Sequence, residues 1–202
     1  MKLWVSLLVV LGLAWWLHGG SARQHPPGEL APADPVQSAP EDDAAHDYKG
    51  FAITPLADFA LTARVLSRKD YGHDREAQLA PTDLALGWGA LSDPLVVDQL
   101  KFPQYNSFYS RFVVPELRSG SELSRRPWRE LDAMFVAFTH VHTIPGDRAI
   151  RATLAGIRPG QVIRFRATLV EATAPSGGRY TSSLKLGDRD CEIAWIDELE
   201  LE

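Results

Sequence analysis

The strongest constraint on the fold is the stretch from Phe135 to Asp147, which reads FVAFTHVHTIPGD. Alternation along it puts Met134, Val136, Phe138, His140 and His142 on one side of an extended strand, with Phe135, Ala137, Thr139, Val141 and Thr143 on the other. Pro145-Gly146 ends the strand. An otherwise apolar face that finishes in two imidazoles is where a chemical site suggests itself.

The N-terminal end bounds the domain. Leu3 to Leu17 is an apolar run of fifteen residues, softened by Ser6 and Gly12, with Lys2 before it and His18-Gly19-Gly20 after it. Its length falls between a signal-peptide core and a spanning helix of roughly 20 residues. Gly20-Ser21-Ala22 offers small residues for cleavage, and Trp15-Trp16 offers interfacial anchors. Residues 1–22 are therefore expected to be a signal peptide or a membrane anchor. Either outcome places the rest outside the cytoplasm, as a periplasmic domain held to the inner membrane or released from it. Residues 23–47 are rich in Pro, Ala and acidic side chains and nearly devoid of large apolar ones, which predicts a disordered linker. The 155 residues 48–202 are enough for one domain with its own core. Cys191 is the single cysteine, so no internal disulfide forms.

The net charge of −5 conceals an asymmetry. Residues 101–190 carry fourteen basic and eight acidic side chains, whereas residues 191–202 carry five acidic and none basic. The basic side chains of the middle are nearly all arginine, the type suited to bidentate contact with carboxylate or phosphate. Arg148, Arg164 and Arg166 are the candidates for an anionic ligand such as a phosphate-bearing lipid, a glycan or nucleic acid. The acidic tail and the negative total charge oppose nucleic acid, so no nucleic-acid partner is expected.

Patterning predicts strands at residues 50–54 and 59–66, the second alternating Phe59, Leu61, Ala63 and Val65 against Ala60, Thr62 and Arg64. Pro55 to Asp58 would connect them. Pro81-Thr82-Asp83 into Leu84-Ala85-Leu86 resembles a helical turn stopped by Gly87-Trp88-Gly89, and Ser92-Asp93-Pro94 opens a second short helix. The segment from Phe102 to Val114 is aromatic and β-prone, and Pro127 to Leu131 forms a short helical lead into the central strand. In the last third, residues 162–171, 180–186 and 191–197 form a meander joined by Pro175-Ser176-Gly177-Gly178 and Gly187-Asp188-Arg189-Asp190. The expected class is mainly β (α+β): a small OB-like or SH3-like β-barrel with short helices, preceded by the apolar helix and the tether.

Three segments together carry a family likeness: Trp88-Gly89-Ala90-Leu91-Ser92-Asp93, then Thr139 to Pro145, then Thr181-Ser182-Ser183-Leu184 leading to Cys191-Glu192. They resemble an uncharacterised family of bacterial exported or membrane-anchored proteins, and the likeness covers most of residues 48–202. Leu91 stands where that family has Met, and the turn between Leu184 and Cys191 is shortened. The resemblance implies an envelope location and a single domain, and it implies no activity.

The His140-x-His142 pair matches strand-borne metal sites, in which alternate residues project together and can share an ion. Asp147 is the nearest acidic residue downstream; His73, Cys191 and Glu192 could join only through the fold. Cys191 or Ser183 (or Ser182) with His142 as base would make a nucleophile, although there is no Gly-x-Ser-x-Gly elbow. No Gly-rich phosphate loop, dinucleotide fingerprint, CxxC or HExxH occurs, so no cofactor is implied. The leading expectation is a non-enzymatic envelope module that binds a protein partner. The alternatives are an anionic-ligand binder and a small metal-dependent or hydrolytic enzyme centred on His142.

Overall fold

The computed structural model describes residues 25–72, 75–106, 111–186 and 190–202. Its strands are β1 (Val36–Ser38), β2 (His46–Tyr48), β3 (Phe51–Asp70), β4 (Thr82–Gly87), β5 (Leu100–Lys101), β6 (Gln104–Asn106), β7 (Arg111–Val113), β8 (Glu116–Leu117), β9 (Phe138–Pro145), β10 (Val162–Thr173), β11 (Arg179–Thr181) and β12 (Cys191–Leu201). Its α-helices are α1 (Arg75–Leu79), α2 (Pro94–Val97), α3 (Trp128–Phe135) and α4 (Arg148–Gly156).

The principal sheet follows the order β1-β3-β4-β9-β12-β10-β11, with β2 also on β3 and a further pairing of β10 to β3. The path through β3, β4, β9, β12 and β10 thus returns to β3. This ring-like arrangement corrects the expectation of an OB-like or SH3-like β-barrel. Residues 52–64 of β3 pair with β10, while residues 64–70 pair with β4, so Arg64 alone is shared between the two partners. Along the stretch bound to β10, β2 and β1 also pair with β3, at residues 51–53 and 58–60. The ring is joined end to end along one long strand instead of being closed side by side as a barrel. With α4 packed into it and one parallel pair, β9 with β12, the class is mixed α/β.

Two strands expected around Pro55 are in fact one. Pro55 sits opposite Val170 while Ala57 sits opposite Leu169, so Leu56 is the extra residue of a bulge, and Pro is tolerated at such a position. Residues 82–87 form a strand, not a helical turn, because all six are buried between β3 and β9 and a central strand shows no alternation. Residues 128–135 are helical, burying Leu131 and Phe135, and this helix shortens the central strand to Phe138–Pro145. The C-terminal strands do not form a meander: β11 and β12 both lie along β10, opposite residues 171–173 and 163–169 respectively.

The expected disordered linker is also corrected from residue 25 onward. Ala31 is buried in the main core, Trp88 Nε1 donates to Asp34 at 3.0 Å, and β1 and β2 lie against β3. Of the expected inner-membrane anchor, what the structure gives is that no helix among the described residues is long and apolar enough to cross a membrane. The run Leu3 to Leu17 that carried this expectation, with its signal-peptide and periplasmic readings, lies outside the described residues.

Period-two alternation sorts the core. Leu84, Leu86, Val141, Ala194 and Ile196 point into the ring with Phe59, Leu61, Ile163 and Phe165, where α4 adds Ile150 and Leu154. The opposite face of β4, β9 and β12 carries two separate apolar clusters. One contains Ala85, Phe138, Leu131 and Phe135; the other contains Leu79, Ile144, Ile193 and Val170. His140 and His142 lie between Phe138 and Ile144 on this outer face, in the gap between the clusters.

Candidate metal centre

Strand register assembles the site. In the antiparallel β4/β9 pair Asp83 is opposite His142, and in the parallel β9/β12 pair Cys191 is opposite His140. Alternation then puts all four side chains on the outer face. Asp83, His140 and His142 are 0%, 2% and 6% exposed, whereas Cys191 is half-buried.

The four groups touch in a fixed order. His142 Nδ1 lies 2.9 Å from Asp83 Oδ1, and His140 Nδ1 lies 3.2 Å from Cys191 Sγ. His140 Nε2 and Asp83 Oδ2 face each other at 3.8 Å, and neither has a hydrogen-bond partner among the described residues. Two buried polar atoms in that condition are costly, by roughly 1–3 kcal/mol each. One carboxylate thus stands behind both imidazoles and leaves His142 Nε2 and His140 Nδ1 for the side where Cys191 sits. Donor atoms of His140, His142 and Cys191 all lie within 4.8 Å of one another.

Arg111, brought in by β7, supplies the buried positive charge. Its guanidinium donates to Ala80 O at 3.1 Å, lies 3.6 Å from Asp83 Oδ1 and from Glu76 Oε2, and stacks 3.6 Å above the Tyr71 ring. Cys191 Sγ donates to the Arg111 carbonyl at 3.4 Å. Glu76, from α1, also comes within 3.6 Å of His142 Nδ1.

The two histidines have opposite electrostatic fates. Burial, then the neighbouring His142 charge, lowers the pKa of His140 to about 3, with Asp83 opposing. Burial also works against a charge on His142, but hydrogen bonding to Asp83 and to Cys191, reinforced by their fields, raises its pKa to about 10. Tyr71 is held above its ordinary pKa, by burial first and by the Asp83 charge second.

The centre opens on a cleft of about 440 Å³ lined by Glu76, Arg111, His142, Tyr180, Ser182, Ser183 and Cys191. A larger cleft of about 570 Å³, between the 36–46 segment and the outer face of β3, β10 and β12, contains neither His140, His142 nor Cys191. Ligand chemistry, not volume, therefore marks the smaller one.

The other sequence candidates fall elsewhere. Asp147 caps α4, accepting from Ile150 N at 2.7 Å, and takes no part in the centre. Ser182 and Ser183 line the cleft, but Ser182 Oγ bonds Ile193 N and Ser183 O, and Ser183 Oγ accepts from Lys185 N. Arg164 pairs with Glu200 and Glu202, and Arg166 with Glu198, so acidic neighbours from the chain's own tail already meet the proposed anion binders. Arg148 is exposed on α4. Glu192 points into the ring and accepts from Thr139, and His73 lies outside the described residues. Asp83, Glu76, Tyr71 and Arg111 are participants that patterning did not single out. A continuous buried run after Pro81 was the signal that could have exposed Asp83 as the polar member of a central strand.

No protein-family model, curated protein or solved structure matches the chain. What the fold and site define is a mixed α/β domain with a buried His140/His142/Cys191 cluster braced by buried charge pairs.

Proposed function

We propose that the chain is a small metal-dependent enzyme whose His140, His142 and Cys191 bind one zinc-type divalent ion at the cleft. The observation that carries this reading is the shared Asp83 carboxylate behind two imidazoles whose other nitrogens converge with a thiol. Carboxylate–histidine–metal triads orient and strengthen imidazole ligands in the same manner. A tetrahedral ion with bonds of roughly 2.1 Å to nitrogen and 2.3 Å to sulfur needs donors about 3.3–3.6 Å apart. The 3.2 Å separation of His140 Nδ1 and Cys191 Sγ is already close to that. Two imidazoles and a thiolate suit zinc better than magnesium or calcium, which prefer oxygen.

Three protein ligands leave a fourth position, and the half-buried side of the trio faces the cleft. An ion held so supplies an acidified water, with hydrolysis as the reaction class. This reading displaces the non-enzymatic binding module. It is tested by titrating metal-free protein with zinc against a competing chelator, followed by an assay on small activated esters. One equivalent bound, with ester cleavage that disappears on chelation, supports it; absence of stoichiometric binding overturns it.

The contact between His140 Nδ1 and Cys191 Sγ favours one other use of the same atoms, with Cys191 as nucleophile, His140 as base and Asp83 as its orienting group. Zinc distinguishes the two: it protects Cys191 from alkylation and activates the ester reaction under the first reading, and it inhibits that reaction under the second.

A further inference from the structure

We propose that the centre is peroxide-gated: hydrogen peroxide entering the cleft oxidises the Cys191 ligand and expels the ion. The inference rests on the metal reading and adds a mode of regulation to it.

Accessibility selects the ligand that reacts. His140 and His142 are 2% and 6% exposed, while Cys191 is half-buried and lines the cleft, so a small oxidant reaches sulfur before it reaches either imidazole. Chemistry selects the same atom, because a thiolate ligand is the oxidisable member of the trio. In the step, thiolate sulfur attacks one peroxide oxygen and the O–O bond breaks. Sulfur loses two electrons and becomes sulfenic acid, and the second oxygen leaves as hydroxide, which takes a proton to give water.

The surroundings of sulfur decide where the new oxygen goes. Sγ is already in contact with His140 Nδ1 at 3.2 Å and with the Arg111 carbonyl at 3.4 Å, so the added oxygen must lie toward the cleft. Oxidation thus removes the charged ligand and leaves two imidazoles as the whole donor set. Cys191 is the single cysteine of the chain, so the sulfenic acid cannot proceed to an internal disulfide. A small thiol can restore it: one thiol condenses with the sulfenic acid, releasing water and giving a mixed disulfide, and a second displaces Cys191 as thiolate.

The test uses the full chain loaded with zinc in the presence of a chromogenic chelator too weak to remove the ion unaided. Hydrogen peroxide is added, sulfenic acid is trapped with a cyclic diketone, and the adduct is mapped by mass spectrometry. The expected result is release of one zinc per chain in step with adduct formation at Cys191, and rebinding when untrapped protein is treated with a small thiol. Retention of zinc by chains carrying the Cys191 adduct overturns the proposal, as does release of zinc from chains with Cys191 unmodified. Binding of one zinc before peroxide is the separate check on the metal reading; its failure removes both, whereas stable binding that ignores peroxide removes only the gate. Cys191→Ser, checked for native circular dichroism, is expected to lose no zinc to peroxide, whatever its affinity.

Discussion

His142 Nδ1 lies 2.9 Å from Asp83 Oδ1, and the two residues are also register partners across the β4/β9 ladder. The hydrogen bond is thus held by the backbone pairing itself, which fixes the imidazole's direction before any ligand arrives. Asp83→Asn keeps the shape but weakens the acceptor. Zinc affinity is expected to fall about 10–100-fold while one equivalent still binds at saturation. Competition titration measures it, and an unchanged affinity would mean that Asp83 does not support the ligand.

Metal removal gives the second prediction. An ion that binds only the folded chain adds about 2.7 kcal/mol of stability when free zinc is 100 times its dissociation constant. A chelator should therefore lower the melting temperature of zinc-loaded wild type and leave His142→Ala unaffected. Differential scanning calorimetry with and without chelator decides; equal shifts in both proteins would place the ion elsewhere.

The third prediction concerns pH in the metal-free chain. His142, raised from 6.5 to about 10, contributes stability that is complete below pH 6.5 and fades as pH rises through about 10. His140, lowered from 6.5 to about 3, is neutral when folded and protonated when unfolded in acid, so its contribution is complete above 6.5 and is lost as pH falls toward about 3. The slopes oppose each other, and this pair stabilises most near pH 6.5. Urea midpoints for wild type, compared with His140→Gln and His142→Gln at about pH 4.5, 6.5 and 9, separate the two contributions; matching pH profiles in all three proteins would contradict it.

Arg111 and Asp83 make the fourth. Their side chains are 1% and 0% exposed, so Arg111→Met removes one of the two cations that meet the buried carboxylate and leaves it only His142. Loss of one partner of a buried pair costs about 3–5 kcal/mol. Restoration of most of that loss in Arg111→Met/Asp83→Asn would confirm the source, and urea unfolding of the single and double variants measures it.

A fifth prediction lies outside the centre. A Cβ on Gly146 would come 2.5 Å from Ile196 O and 3.1 Å from Trp195 Nε1. Gly146→Ala should therefore push the end of β9 away from β12 and destabilise by about 1–3 kcal/mol, as overpacking does. Chemical denaturation checks it, and a neutral result would show that the β9–α4 turn yields more easily than its packing implies.

Local periodicity revealed part of this architecture. The shared face of His140 and His142 was legible because a strand alternates whatever lies beside it. Asp83 was not, since a strand buried on both sides carries no alternation and Pro81-Thr82-Asp83 also reads as a helix start. The meeting of Cys191 with His140 depends on a parallel register across 51 residues, which no local pattern encodes. Arg111 was concealed in an aromatic segment, where its neighbours gave no hint that β7 turns it inward. The barrel expectation failed at β3, because spacing along the chain cannot tell whether one long strand holds its partners side by side or in succession.

The centre also has a kinetic consequence. Asp83 and His142 are 59 residues apart, and Cys191 reaches across 80 residues to the Arg111 carbonyl. In a zinc finger all the ligands can template the fold from the start, but here only His140 and His142 are near neighbours, and the unfolded chain would have to close a loop of 51 residues before Cys191 joined them. Metal capture is therefore a late event that waits on the pairing of β4, β9 and β12, and refolding rate should be nearly independent of zinc. The ion would instead act on the return path, slowing the unfolding of a chain that had already assembled without it.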